Sequence, residues 1–478
     1  MSAATTTTTM TATPVTAPAH AEVNDHVAPR ACLNDRGTML RSPLEVDDTG
    51  AMSAQPRTAD KTMPFKLASA GFSFFAAGVN DGSLGALIPY VIRDYSITTA
   101  IVSALYAASF AGWLTAALTN THLTQRLGLG TMLALGAMLQ AAAQALRTWP
   151  PAPPFGVYVA TFALTSLGQA YQDTHVNTFV AGSSSAAGAH RWLGFIHAAY
   201  MAGCLAGPFA SSAIASTSGS ASGSAEAAPS RWWLFYTVPL GLGLANLGLV
   251  FAAFRDSLHF RWRRQTDLSV PEDGGRETGD GPSATAMVRR TLSTPSVWLL
   301  SLFFFCYLGF GVTAGGWVVE YLVDVRNGDL AHVGYVPAGF SGGCLLGRIV
   351  LPEPTHRYGE RRMVFLYCVC CLVFQLVFWL VPNIIAASVA ISLLGFFSGP
   401  FFATAISVGS RLFPPDINAT AISFVFVFAQ VGGSLFPIVT GVLGSHLGVG
   451  VMQPVLVGLI VVTTVSWLLV PRPPKEKQ

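Results

Sequence analysis

Apolar residues in this chain run in blocks of the length that a bilayer demands, about 20 mostly apolar residues for one spanning helix. With that ruler, candidate spans lie at 65–92, 99–119, 131–148, 155–180, 193–215 and 232–254, and again at 296–322, 331–351, 363–381, 384–411, 419–445 and 450–470. The pattern predicts an all-α membrane protein of about twelve transmembrane helices, six on either side of a linker. Residues 1–63 are rich in Thr, Ala and Pro and show neither helical nor strand periodicity, so they read as a disordered tail. They lack a basic start followed by a short apolar core and a cleavage site, and the first span is expected to serve as its own insertion signal. The domain reading is therefore a tail (1–63), a first half (64–254), a linker (255–295), a second half (296–471) and a short tail (472–478).

Composition agrees with the pattern. Only 11% of the residues are charged, against roughly a quarter in soluble domains, too few to clothe a water-soluble core of this size. The net charge of +3 is spread over short loops, which excludes a nucleic-acid-binding stripe. The basic residues Arg57, Lys61, Arg261, Arg263, Arg264, Arg276, Arg289, Arg290, Arg357, Arg361, Arg362, Arg472, Lys475 and Lys477 all fall on one side of the predicted bundle, so both ends and the linker are expected in the cytoplasm. The plasma membrane is the expected location, with the vacuole or another internal membrane as the alternative. The Ser- and Gly-rich run 216–230 then becomes a flexible outside loop.

Six of the seven cysteines lie in apolar runs, which argues against a disulfide framework. Cys368, Cys370 and Cys371 cluster without the polar neighbours that a metal site needs, so neither a metal nor a cofactor is expected. GFSGG at 339–343 matches the pattern of a hydrolase elbow, but it lies within a span, where small residues for helix packing are the better reading. A sequon at Asn418 falls on the predicted cytoplasmic side and is discounted.

The two halves repeat. GWLTAALTNTHLTQRLG from Gly112 aligns without a gap on GCLLGRIVLPEPTHRYG from Gly343, pairing Arg126 and Gly128 with Arg357 and Gly359. At nearly the same offset, Gly203 and Pro208 fall on Gly432 and Pro437. A Gly followed by Arg-x-Gly after the second and eighth spans resembles the loop signature of the major facilitator superfamily. The family's Asp before the Arg is replaced by Gln125 and His356. The resemblance implies two pseudo-symmetric six-helix halves and a structural or gating role for these residues.

Polar residues inside the spans carry the candidate chemistry. An Asp at the centre of a spanning helix costs about 2.5–3.5 kcal/mol to insert, so Asp81 either faces a cavity and works or bonds a neighbouring helix. In the fourth span Gln169, Gln172, Asp173 and Asn177 follow i, i+3, i+4, i+8 and share one face, which lipid would not tolerate. His175 points roughly 200° from Asp173, with packing and functional roles both open. His197, Tyr200 and Cys204 share a face of the fifth span, as solute ligands or as helix-packing donors, and Trp317 and Glu320 lie in the seventh.

These patterns resemble the fucose:proton symporter branch of the superfamily and its fungal relatives of the bypass-of-stop-codon type. Asn80-Asp81 ahead of Leu87-Ile88-Pro89, Asp173-Thr174 with Asn177 and Phe179, Cys306-Tyr307-Leu308-Gly309 and Gly347-Arg348 carry the likeness, with Asp173 in place of the family's Glu and Thr178 in place of its Pro. The resemblance implies proton uptake at Asp81 and Asp173 and solute contact at His197. Asn80, Gln169, Gln172, Asn177, Tyr200 and Trp317 complete the candidate binding set, and Gly112, Arg126, Gly128, Gly203, Pro208, Gly343, Arg348, Arg357, Gly359, Gly432 and Pro437 the structural one. The expected protein is a monomeric secondary transporter moving a small solute, sugar-like on this resemblance, by proton coupling. Gly203-x-x-x-Gly207-Pro208 resembles a motif of facilitator antiporters and keeps an exporter as the alternative; a polytopic enzyme or a transporter-like sensor ranks lower.

Overall fold

A computed structural model describes residues 62–149, 152–182, 186–217, 230–258, 284–414 and 416–471. The expected disordered tail, most of the linker and of the 216–230 loop, and residues 472–478 lie outside the described residues. In lipid, backbone N–H and C=O groups must be satisfied within the chain, and the described apolar runs accordingly fold as helices.

The helices are α1 (Met63–Tyr95), α2 (Thr99–Val102), α3 (Ala104–Arg126), α4 (Leu129–Arg147), α5 (Phe155–Gly182), α6 (Ala186–Thr217), α7 (Thr237–Ala253), α8 (Ala284–Leu292) and α9 (Pro295–Asp324). There follow α10 (Leu330–Val333), α11 (Val336–Val350), α12 (Pro352–Tyr358), α13 (Glu360–Leu380), α14 (Ile384–Ser398), α15 (Phe401–Leu412), α16 (Asn418–Leu447) and α17 (Met452–Leu469). The short α2 and α10 continue into α3 and α11 as single spans, and Gly399-Pro400 interrupts the span made by α14 and α15. Ten spans among the described residues are long and apolar enough to cross a membrane. α1 and α5, 33 and 28 residues long, complete the expected set; Asn80-Asp81 in one and the Gln-Asp stripe in the other lower their mean hydropathy.

Packing repeats between the halves. α1 lies on α6 and α7, α4 on α7 and α5, and α3 on α5; the second half pairs α9 with α16 and α17, α13 with α17 and α14, and α11 with α14. The residues aligned by the sequence repeat occupy equivalent contacts. A Cβ at Gly203 of α6 would collide with the Phe75 carbonyl of α1, and one at Gly432 of α16 with the Phe305 carbonyl of α9. Gly112 likewise brings α3 against the Ala163 carbonyl of α5, and Gly343 brings α11 against that of Ser392 in α14. GFSGG is thus part of a helix–helix contact. The loop copies differ: Gly359 needs glycine at φ +96° between α12 and α13, whereas Gly128 has φ −71°. Part of the second loop is helical, as α12.

Between halves, α6 meets α11, α2 and α3 meet α16, and α1 meets α9. Several of these contacts form a seal at the end opposite the two described chain ends. Gly85 touches Gly315, Tyr106 touches Gly316, and Thr99 Oγ1 donates to the Gly441 carbonyl at 2.9 Å. At the other end, Lys66–Asp256 at 2.7 Å ties α1 to the segment after α7, and Arg411–Glu360 ties α15 to α13, each within one half.

Because the glycine contacts leave no room for a methyl group, Gly203→Ala and Gly432→Ala are expected to destabilise the protein by about 1–3 kcal/mol each. Thermal unfolding of the detergent-purified protein checks this, with Gly248→Ala as control, a position with open space around it.

Candidate functional site

Asp81 sits near the middle of α1, one turn short of the seal, and its side chain is exposed despite its depth in the bundle. The tight contact of α1 on α6 places it opposite Tyr200. Gly78 meets the Tyr200 carbonyl and Gly82 meets Cys204, so the two backbones nearly touch around the carboxylate. Three donors converge on it: Asn80 Nδ2 at 3.0 Å on Oδ1, and Gln169 Nε2 at 2.8 Å and the Tyr200 hydroxyl at 3.0 Å on Oδ2. Gln169 is buried while Tyr200 is half-buried, so the carboxylate is held from behind and open in front.

Asp173 is half-exposed on α5 and lies within electrostatic range of Asp81. The structure brings the two acids of the first half together. Among the described residues, no side chain donates to or pairs with the Asp173 carboxylate.

The polar face of the fourth span divides. Gln172 is buried and turns to α4 and α7, where Oε1 accepts from Gln140 Nε2 at 2.8 Å and Asn246 Nδ2 at 3.2 Å, and Nε2 donates to the Leu133 carbonyl at 3.0 Å. Its oxygen and one of its two N–H groups are taken up in packing against α4 and α7, so its bonds run away from Asp81, unlike those of Gln169. Residues three and four apart share a broad face, and a 100° step between Gln172 and Asp173 spans the boundary between packing and cleft. Asn177 bonds back to the Asp173 carbonyl at 2.9 Å. His175 meets Asn120 of α3 at 3.0 Å, an interhelical role.

Two other candidates sit between the halves. Trp317 is buried, donates to the Pro437 carbonyl at 3.1 Å and packs on Tyr106 with centroids 6.3 Å apart. It belongs to the seal. His197 is half-buried; its ring stands edge-on to Phe74 at 5.5 Å and lies 5.6 Å from Phe402 of the second half. Its carbonyl accepts from Arg348 Nη1 at 3.5 Å. Arg348 therefore reaches from α11 across to α6. Among the described residues, no group of three or more His, Cys, Asp or Glu side chains is placed to hold a metal ion.

Sequence reasoning missed the residues behind Asp81. Arg147, near the end of the third predicted span, ends α4 with 0% exposure. Its Nε donates to Thr161 at 2.7 Å, Nη2 to Thr165 at 3.0 Å and Nη1 to Asn80 Oδ1 at 3.1 Å, which Gln144 also contacts at 2.8 Å. The guanidinium lies 4.0 Å from the Phe162 ring centroid and 5.0 Å from that of Tyr236. Asn80 thus links a buried cation to the acid, accepting on one side and donating on the other. A Gln-x-x-Arg at 144 and 147, closing an apolar run at helical spacing, was the available signal.

A polar cleft between two similar six-helix halves, sealed at one end, is the architecture of a secondary transporter. The chain belongs to the major facilitator superfamily, whose sequence model matches residues 70–437 and 357–478. It is 24% identical over 417 residues to Bypass of stop codon protein 6 of Saccharomyces cerevisiae, covering 84% of this chain and 81% of that one. Among solved structures it resembles a bacterial homologue of the human lysosomal transporter Spinster in an inward-facing, occupied conformation (TM-score 0.65, 12% identity, 86% of this chain and 97% of that one). The transporter FucP in an outward conformation is a further neighbour (0.59, 16%, 86% and 99%), as is the nucleoside transporter NupG (0.63, 13%, 85% and 99%). At these identities the structural likenesses establish the fold.

Arg147→Met is expected to leave thermal stability near that of the unmodified protein. Thr161 and Thr165 keep backbone acceptors at 2.5 and 2.9 Å, and Asn80 keeps Gln144. The desolvation cost of the buried cation goes with its hydrogen bonds, whereas losing the bond to Asn80 should loosen that side chain beside Asp81 and slow transport roughly tenfold or more. Uptake and thermal unfolding measured side by side check this.

Proposed function

We propose that the protein couples proton movement to transport of a small polar, sugar-like solute, with Asp81 and Asp173 as the proton-carrying groups. The observation that carries this reading is a pair of acids within electrostatic range of each other, with Asp81 held by three donors and Asp173, among the described residues, by none. Water in the open cleft supports the charge of Asp173. When the halves rock together, that water leaves, and an uncompensated carboxylate at membrane depth costs about 2.5–3.5 kcal/mol, a rate penalty of roughly a hundredfold. A proton on the acid removes the penalty, so the site changes sides with its proton and solute aboard. One neighbour by fold is described as the E. coli fucose:proton symporter, which supports both the coupling ion and the polar solute. The protein is proposed to act as a monomer, in the plasma membrane, with both ends in the cytoplasm. Gly203 and Gly207 pack α6 on α1, a structural demand that importers and exporters share, so the motif favours neither direction.

Asp81→Asn and Asp173→Asn are each expected to abolish solute accumulation driven by a pH gradient in sealed proteoliposomes, while exchange without a gradient persists in at least one of them. Unchanged rate and pH dependence in both variants, at normal membrane expression, would overturn the reading.

A further inference from the structure

Arg348 is a second cation inside the bundle, and its situation differs from that of Arg147. It lies in the last turn of α11, half-buried, with the long 3.5 Å contact to the His197 carbonyl as its hydrogen bond to the first half. Its guanidinium is 6.0 Å from the Phe402 ring centroid, and Nε is buried without a partner. The Tyr307 hydroxyl lies within electrostatic range of it. Among the described residues, no carboxylate forms an ion pair with it. On α6 the His197 carbonyl that meets Arg348 lies one turn before Tyr200, whose hydroxyl bonds Asp81, and Cys204, one turn further on, is within electrostatic range of both charged groups. The cation and the acids therefore line one region from opposite halves.

A buried donor left unpaired is costly, and an intramembrane cation without an acid is a site for whatever completes it. The cost is greatest when the halves close and water leaves. A neutral solute would leave Arg348 uncompensated in the closed state. A solute carrying a carboxylate would compensate it, and the guanidinium fork suits that group in two-point geometry.

We propose that Arg348, with Tyr307, forms the anion-binding wall of the solute site, and that the solute is a small carboxylate bearing hydroxyl groups, of the sugar-acid type. The carboxylate sits on Arg348 in the second half, and the hydroxyl end faces Asp81, Tyr200 and Asp173 in the first. One proton carried with one carboxylate leaves no net charge to bury. This inference rests on the transport reading above and narrows it.

The test uses the full-length protein, purified and reconstituted, with matched probes: galacturonate against galactose and gluconate against glucose. Thermal stabilisation reports binding, and uptake in proteoliposomes reports transport. At least one acid is expected to bind at least about tenfold more tightly than its parent sugar, as one hydrogen-bonded charge pair warrants. Arg348→Gln should abolish that preference, and Arg348→Lys should restore part of it. Equal binding of acid and sugar, a preference that survives Arg348→Gln, or stabilisation by neither acid would overturn the proposal. So would recovery of transport in an Asp173→Asn, Arg348→Gln double variant relative to both single variants, because Asp173 would then be the partner of Arg348. Asp81→Asn measured in parallel separates the two readings. If it removes pH-driven uptake of a neutral sugar while no acid preference exists, only the solute class fails; if it has no effect while the acid preference holds, the proton assignment fails and the solute class stands.

Discussion

The contact of α1 on α6 sets the position of the groups around Asp81. Gly78 and Gly82 on one helix and Gly203 and Gly207 on the other remove the side chains that would hold the backbones apart. Membrane helices lack a hydrophobic drive to associate, so close packing of small residues supplies the attraction. The same approach carries Asp81 to the Tyr200 hydroxyl and leaves its face toward the cleft open. Had the helices stood one methyl group further apart, a 3.0 Å bond would have been out of range. The counterpart contact, Gly432 of α16 on α9, has the same close approach but, among the described residues, no acid beside it, so duplication preserved the packing while the chemistry diverged.

That divergence gives the two halves different work. The first half holds both cleft acids and a buried hydrogen-bonded network running from Arg147 through Asn80 to Asp81. The second half presents aromatic rings, among them Phe304, Phe402 and Phe426, with ring centroids 5.6–6.5 Å apart, and the Arg348 guanidinium 6.0 Å from the Phe402 centroid. Rigid, fully bonded Arg147 suits a group that orients another. Arg348, with one long bond and an unpaired Nε, suits a group that exchanges partners as the halves move. The difference lies in hydrogen-bond satisfaction, since both residues are arginines at membrane depth.

Much of this was legible in the sequence. Long apolar blocks require helices because lipid offers the backbone no partners, and blocks of the right length fix the order of the spans. The repeat around Gly112 and Gly343, and around Gly203 and Gly432, marked duplication because glycine is irreplaceable where two backbones meet. Asp81 and Asp173 stood out because charge is expensive in lipid. Tertiary structure alone decided where each polar side chain of a helix finds its partner. Gln169 and Gln172 are one turn apart, yet one bonds the acid and the other vanishes into α4 and α7. Trp317 proved to be part of the seal, and Arg147, at the edge of an apolar run, proved to be wholly enclosed. Helical periodicity gives a residue's angle about its own axis; which neighbour lies at that angle depends on how the other helices pack, and the hydrogen-bond partners of Gln169, Gln172 and Trp317 lie from 32 to 120 residues away in the chain.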